Sequence, residues 1–425
     1  MKNCDIASLW EARRRTLQLI QDLNDDQMIG PRLQIVNPLR WEIGHVAWFQ
    51  EYWLLRHLCG RAPILSNGDA LFDSAKIAHD TRWDLPLPTK AETIHYMTSV
   101  INDINRYVDA SARDASYFLA LALFHEDMHG EAITYTLQTL GRAAPRITMP
   151  ESGAIDIEPT RGQDIRGDAF VPGGLFILGN TSESDFVFDN EQKPFQVLAQ
   201  SFKISLTATT NGEFARFVED GGYRRRELWS DDGWTWRETA YANHPVYWNF
   251  ENGSWWRRNF DQRVPLEENH PVLHVNWHEA EAYCRWAGRR LPTETEWERA
   301  ASSEPGSNHK RRFPWGDEEP SPARANLDSG SLGTTDVGAL PAGDSAFGCR
   351  QMIGNVWEWT ASDFTPYPGF VAGPYKEYSE PWFGNHKVLR GGCWATRSRL
   401  ISNTYRNFYM PDRRDVWAGF RTCAN

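Results

Sequence analysis

Residues 124–131 read FHEDMHGE. They sit in an apolar stretch from about Ala115 to Leu140 that stops at Gly141, the pattern of a buried helix with a glycine end. On such a helix His125 and His129, four apart, leave the same face about one turn from each other. Two imidazoles so placed can chelate one ion, whereas a lone His is usually a hydrogen-bonded core or surface residue. HEDMH also satisfies H-E-x-x-H, the zinc-hydrolase pattern in which Glu126 would be the general base. The longer form of that pattern needs Gly and then His, three and six residues after the second His. Here those positions hold Ala132 and Tyr135, so a zinc hydrolase is the weaker alternative.

Three more helical segments precede this one. Leu9, Leu17, Ile20 and Leu23 recur at helical spacing. Asn37-Pro38 is expected to cap and start a second helix, with Pro at its first position. That helix carries Trp41, His45, Trp48, Phe49 and Trp53, and its aromatic stripe turns His45 toward the bundle interior as a third candidate ligand. A third segment runs from about Lys90 to Val108. Four helices of this length predict a four-helix bundle, whose interior commonly houses metal sites. Three neutral imidazoles with open coordination positions suit Fe(II). The long connection from Gly60 to Thr89 is of the length that often serves function.

After residue 145 the pattern changes. Residues 146–165 are polar, bear Pro and Gly, and read as a linker. Residues 166–425 are irregular and aromatic, with short strands such as Leu175–Leu178 and Phe202–Ser205. Two short helices are expected near Asn211–Val218 and His278–Ala287. The chain is thus expected to be α+β: a helical bundle over 1–145 and a loop-rich domain over 166–425, ordered by some of its 20 Trp.

Composition narrows the function. The chain has 425 residues, 41% apolar, and a net charge of −11 with no basic stripe, which argues against nucleic acid. The short basic runs Arg13–Arg15, Arg224–Arg226 and Lys310–Arg312 read as solvated faces. No apolar run approaches the ~18 residues of a membrane span. The opening MKNCDIASLWEARRRT lacks the apolar core of a signal peptide, so a cytoplasmic protein is expected. Six scattered Cys form no C-x-x-C pair, which disfavours a Cys-ligated metal or a disulfide framework. Tyr375 in GPYKEY, and Asn407, Phe408, Tyr409 and Arg413 in YRNFYMPDRR, are candidate pocket residues. Tyr can give a proton and Arg can hold a carboxylate, or each can serve packing alone.

NPLRWEIGHVAWFQE (37–51) and HEDMHGE resemble DinB-type bundles and, more closely, the ergothioneine-forming sulfoxide synthases. The second half resembles formylglycine-generating-enzyme (sulfatase-modifying-factor) domains, which are C-type-lectin-like. The similar segments are HPVLHVNWHEAEAYCRWAGRRLPTETEWERAA (270–301), FPWGD (313–317), GNVWEWT (354–360), VLRGGCW (388–394) and AGFR (418–421). The resemblance implies a non-haem iron(II) enzyme that uses O2, with His45, His125 and His129 as ligands and hercynine, N-trimethylated histidine, as acceptor. It implies a Tyr acid, placed by PYPGFVAGPYKEY on Tyr375, and a pocket lined by Asn407 to Arg413. It also implies donor binding by Arg82 in HDTRW. The copper-binding Cys pair of formylglycine-generating enzymes should follow RGG-x-W. ATRSRLISNTYRN (395–407) contains no Cys, so that activity is not expected.

The departures bear on the donor. γ-Glutamylcysteine-using sulfoxide synthases carry Asp at the position of Tyr409, Gln at that of Met128 and Trp at that of Phe408. The chain also resembles the selenoneine synthases, a sister group, through IVNPLRWEIGHVAWFQEYWLLR (35–56) and ALFDSAKIAHDTRWDLPLP (70–88). That resemblance implies a selenosugar donor and C–Se bond formation. The alternative is a sulfoxide synthase using cysteine or γ-glutamylcysteine. A module that only binds ligands is a third possibility, to be separated from an enzyme by iron content and O2 uptake.

Overall fold

The computed structural model describes residues 5–112, 114–148, 165–182, 186–307 and 309–425. It divides into two compact units, one of residues 1–148 with 184–186, the other of residues 149–183 and 187–425. Most of the expected linker, residues 149–164, lies outside the described residues.

The first unit is helical: α1 Ile6–Ile20, α2 Asp25–Ile29, α3 Leu39–Gln50, α4 Gly68–Phe72, α5 Lys90–Tyr107 and α6 Ala115–Thr139. The four long helices form the bundle, with α1 on α6, and α3 on both α5 and α6. Local chemistry sets their starts. Asp5 accepts from the Ser8 amide at α1, and Thr89 and Glu92 form a reciprocal capping box at α5. Helix α6 is apolar nearly all round and buried over most of its length, as a core helix must be.

Helix α3 starts differently from expectation. Pro38, not Asn37, occupies the N-cap and no side chain caps it. The Asn37 amide is used elsewhere, between Glu42 and Arg82. Beyond Gln50 the helix continues as a π-helix over Glu51–Leu58, held by Tyr96, whose hydroxyl donates to Glu51 at 2.5 Å. The connection from 60 to 89 is partly ordered by α4 and by a turn at His79–Thr81.

Two basic runs are not solvated faces. Arg13 and Arg15 are buried, because α1 turns them into the bundle, where Arg13 pairs with Glu126. Lys310 is mostly covered too, donating to the Ile177 carbonyl and to Glu298.

The second unit has little regular structure for its size. Its strands are β1 Asp168–Val171, β2 Gly174–Leu178, β3 Phe195–Ala199, β4 Phe202–Ser205, β5 Trp248–Glu251, β6 Ser254–Asn259, β7 Gln262–Pro265, β8 Arg289–Arg290, β9 Trp357–Asp363, β10 Lys387–Arg390, β11 Asn407–Tyr409, β12 Ala418–Gly419 and β13 Cys423–Ala424. They form sheets in the orders β1-β4-β13-β8 and β11-β10-β9-β12, a hairpin β2-β3 and a meander β5-β6-β7. The helices are α7 Asn211–Glu219, α8 Asp231–Thr239, α9 Trp277–Trp286 and α10 Glu294–Ser302. The expected helices near 211 and 278 are α7 and α9. Helix α10 starts at a reciprocal capping box of Thr293 and Glu296.

Side chains replace ladders as the organising element here. Trp297, Trp357, Trp359 and Trp394 are fully buried. Around them Arg406 pairs with Glu294, Arg390 with Glu298, and Arg421 forms a two-pronged bond with Glu358 at 2.6 and 2.7 Å. Buried charges persist only when paired and hydrogen-bonded, and these Arg side chains also donate to loop carbonyls, which fixes the loops. Five cysteines, Cys59, Cys284, Cys349, Cys393 and Cys423, are free thiols. No helix among the described residues is long and apolar enough to cross a membrane.

Candidate metal centre

Helices α3 and α6 bring His45, His125 and His129 together, with one ring nitrogen of each within 4.8 Å of the others. Two are separated by one helical turn, and their Nε2 atoms stand 3.2 Å apart. The third comes from α3, whose aromatic stripe fixes its ring. Trp41 stacks on His45 with centroids 4.8 Å apart and planes 7° from parallel, and Trp48 flanks it at 5.9 Å. Phe49 stacks on His125 at 3.6 Å.

The second nitrogens decide the tautomers. His45 Nδ1–H donates to the Phe72 carbonyl at 2.8 Å. His129 Nδ1–H donates to Glu42 Oε1 at 2.5 Å. In both rings the Nε2 lone pair is then left for the shared space. The close approach of α4 that supplies the Phe72 carbonyl depends on Gly44, where a Cβ would lie 2.2 Å from the Phe72 ring. Burial pushes the His45 imidazole down to about 3, with His129 adding to the effect. Burial, then His129 and His45, hold His125 well below its usual value. Burial alone would raise the Glu42 carboxyl, but His129, His45 and Asn37 bring it below the ordinary range.

These features fit a cation. Two imidazole nitrogens at ~2.1 Å from one ion, at roughly a right angle, stand about 3 Å apart. Neutral imidazoles whose far nitrogens donate to a carboxylate or carbonyl are the arrangement that metal sites use. Three nitrogens without a carboxylate in the set match the softer first-row metals rather than Mg or Ca.

Glu126 does not complete a hydrolase. Its carboxylate is buried against Arg13 at 2.9 Å and also accepts from Thr16 at 2.9 Å and Gln50 at 2.6 Å. A carboxylate so occupied is not placed to take a proton from water, and H-E-x-x-H is here a coincidence of spacing.

Arg82 is buried. Its Nη1 donates to Asn37 at 2.6 Å and Nη2 to the Ile77 carbonyl at 3.3 Å, and its Cζ lies 3.8 Å over the Trp41 ring. Met128 is half-buried on α6, between the two His of that helix. The sequence gives no functional role to Glu42, Gly44 or Phe72, and marks Asn37 only as a helix cap. Only Glu42, three residues before His45 on the same helix, carried a usable signal.

The remaining candidates lie in the second unit. Tyr375 precedes a short turn, Lys376–Tyr378, with its ring 6.1 Å from that of Tyr378. Asn407, Phe408 and Tyr409 form β11, paired with β10. Neighbours on a strand face opposite sides, so Phe408 and Tyr409 lie on different faces of β11. Phe408 stacks on Phe364 at 4.0 Å and meets Tyr378 at 5.5 Å, which puts it in the Tyr375 neighbourhood. Tyr409 lies instead beside Arg413, whose Cζ is 5.3 Å from its centroid. The Arg413 guanidinium binds Asp415 through two bonds of 2.6 and 2.7 Å, so a substrate carboxylate would have to compete with Asp415.

Residues 154–425 match the family model for the sulfatase-modifying factor enzyme 1-like domain, and residues 8–133 match the DinB superfamily. The chain is 37% identical to the hercynine oxygenase of Mycolicibacterium thermoresistibile, over 97% of its own length and 93% of that protein's. It is 36% identical to the hercynine oxygenase of Mycobacterium tuberculosis, over 97% and 96% of the two lengths. It is also 33% identical to the formylglycine-generating enzyme of Streptomyces coelicolor, over 67% of this chain and 96% of that one.

Proposed function

The chain belongs to the family of the hercynine oxygenases, a DinB bundle followed by a sulfatase-modifying-factor domain, and from that premise we propose that it is an O2-dependent, non-haem iron(II) oxidoreductase acting on hercynine. The observation that carries this reading is the converging triad of His45, His125 and His129. His45, His125 and His129 would hold a ferrous ion, which would supply one-electron chemistry between O2 and a chalcogen donor. The protein's own part is to bind, orient and protonate. Trp41 and Phe49 clamp the His45 and His125 rings, the Phe72 carbonyl sets the tautomer of His45, and Glu42 sets that of His129. Tyr375 delivers a proton from its phenol oxygen. Aromatic faces hold the trimethylammonium of hercynine. A cytoplasmic setting goes with this reading.

For the donor we propose a selenosugar, so that the reaction forms a C–Se bond at the hercynine imidazole. Met128, Asn407, Phe408, Tyr409 and Arg413 are proposed, each by itself, as substrate-binding residues. What supports the sugar is the chemistry around Tyr409: it stands where γ-glutamylcysteine users have Asp, and the adjacent Asp415 is committed to Arg413. A γ-glutamyl ammonium would have to take Asp415 from Arg413, whereas a sugar can stack on the phenol and share its hydroxyls. The second reading, a sulfoxide synthase using cysteine or γ-glutamylcysteine, is favoured by the end-to-end similarity to hercynine oxygenases.

Anaerobic reconstitution with Fe(II), then O2 and hercynine with each donor, separates the readings by the mass of the product. A selenium-bearing product with the selenosugar is expected. No O2 uptake with any donor would remove the enzyme reading, and faster coupling of the thiol peptide would remove the selenium one.

A further inference from the structure

A run of hydrogen bonds leads outward from His129. Its Nδ1–H donates to Glu42 Oε1 at 2.5 Å. Glu42 Oε2 accepts from Asn37 Nδ2 at 2.6 Å, and Asn37 Oδ1 accepts from Arg82 Nη1 at 2.6 Å. A second route leaves the same guanidinium: Arg82 covers the Trp41 ring at 3.8 Å, and Trp41 stacks on His45 at 4.8 Å. One side chain from the long connection is therefore tied, through two different neighbours, to two of the three imidazoles.

The direction of the hydrogen-bonded run is fixed by chemistry. A guanidinium can only donate and a carboxylate only accept, so the amide between them has one permitted orientation. Turned over, it would set its oxygen against Glu42 and its NH2 against Arg82. A buried carboxylate held by donors on both oxygens presents His129 with a single acceptor position. The Trp41 ring, held between Arg82 and His45, has equally little freedom.

We propose that Arg82 and Asn37 are positioning residues of the metal centre, fixing Glu42 and Trp41 so that the Nε2 atoms of His129 and His45 converge, and that metal affinity depends on them. This rests on the reading of the three His as a metal site. It gives Arg82 a different role from donor binding, for which its buried, engaged guanidinium is poorly placed. Partners beyond the ligands typically change metal affinity by about 10–100-fold when removed.

Co(II) titration of the metal-free, full-length protein, followed by its visible absorption, tests this without turnover. Asn37→Ala and Arg82→Met are expected to weaken Co(II) binding by at least about tenfold, and Arg82→Lys, which keeps one donor for Asn37, by less. Asn37 is only half-buried, so its alanine variant gives an answer even if Arg82→Met does not fold. In a Glu42→Ala background, Asn37→Ala should add less than about twofold, because both act through the same carboxylate. Co(II) affinity within twofold of the unmodified protein in Asn37→Ala, or in a folded Arg82→Met, would overturn the proposal, as would full additivity with Glu42→Ala. His129→Ala is the control for the premise: if it binds Co(II) as tightly as the unmodified protein, the metal reading itself falls.

Discussion

Arg13 and Glu126 meet inside the helical bundle, Nε to Oε1 at 2.9 Å, with side chains only 3% and 1% exposed. The two lie 113 residues apart in sequence and belong to α1 and α6. The pair accounts for a Glu next to a candidate ligand that does no hydrolytic work. Removing one partner of a buried pair costs on the order of 3–5 kcal/mol, since the other charge is left unpaired. Glu126→Gln keeps a hydrogen-bonding oxygen for Arg13 and is expected to lie near the low end, measured by urea unfolding. It should retain bound iron and most of the oxidative turnover per folded molecule. Turnover abolished with iron and fold intact would return Glu126 to a catalytic role.

His45→Ala, His125→Ala and His129→Ala should each abolish stoichiometric iron and O2 uptake. Elemental analysis of the purified, reconstituted variants reads this directly. Full iron content in all three would place the metal elsewhere.

Gly44→Ala probes the floor of the site. The added Cβ would meet the Phe72 ring at 2.2 Å, and that residue's carbonyl orients His45. Overpacking of this kind costs about 1–3 kcal/mol. A drop in melting temperature together with weaker metal binding is expected. Unchanged values for both would show that α4 can move away freely and does not set the His45 ring.

Tyr375→Phe should keep iron and hercynine binding while lowering coupling, or diverting O2 to oxidation of the donor alone. The ratio of coupled product to oxidised donor is the measurement. The same rate and ratio as the unmodified protein would assign the proton to another group.

The donor prediction is comparative. A selenosugar should exceed γ-glutamylcysteine by at least about tenfold in kcat/KM, or ~1.4 kcal/mol. Tyr409→Asp should narrow the gap by adding a carboxylate beside Arg413, where Asp415 already takes both donors of the fork. Equal or better turnover of the peptide by the unmodified protein would leave the sulfoxide synthase reading.

What the sequence determined by itself is whatever depends on neighbours along the chain. Helical geometry relates residues four apart, so His125 and His129 were bound to share a face as soon as the segment was a helix. The same holds for the aromatic stripe around His45 and for the capping boxes at α5, α7, α9 and α10. The two-part organisation was legible as well, because the family segments run through both halves in order. Only the tertiary structure decided what lies across a helix interface or a strand. It turned Arg13 from a solvated face into the partner of Glu126, and spent Asn37 on Glu42 and Arg82 rather than on a cap. It put Phe408 and Tyr409 on opposite sides of β11, and engaged Arg413 with Asp415. The reason is physical: backbone periodicity is fixed within a few residues, whereas the partner of a buried charge or amide is whichever group packing brings within about 3 Å, and that distance is set by elements far apart in the chain.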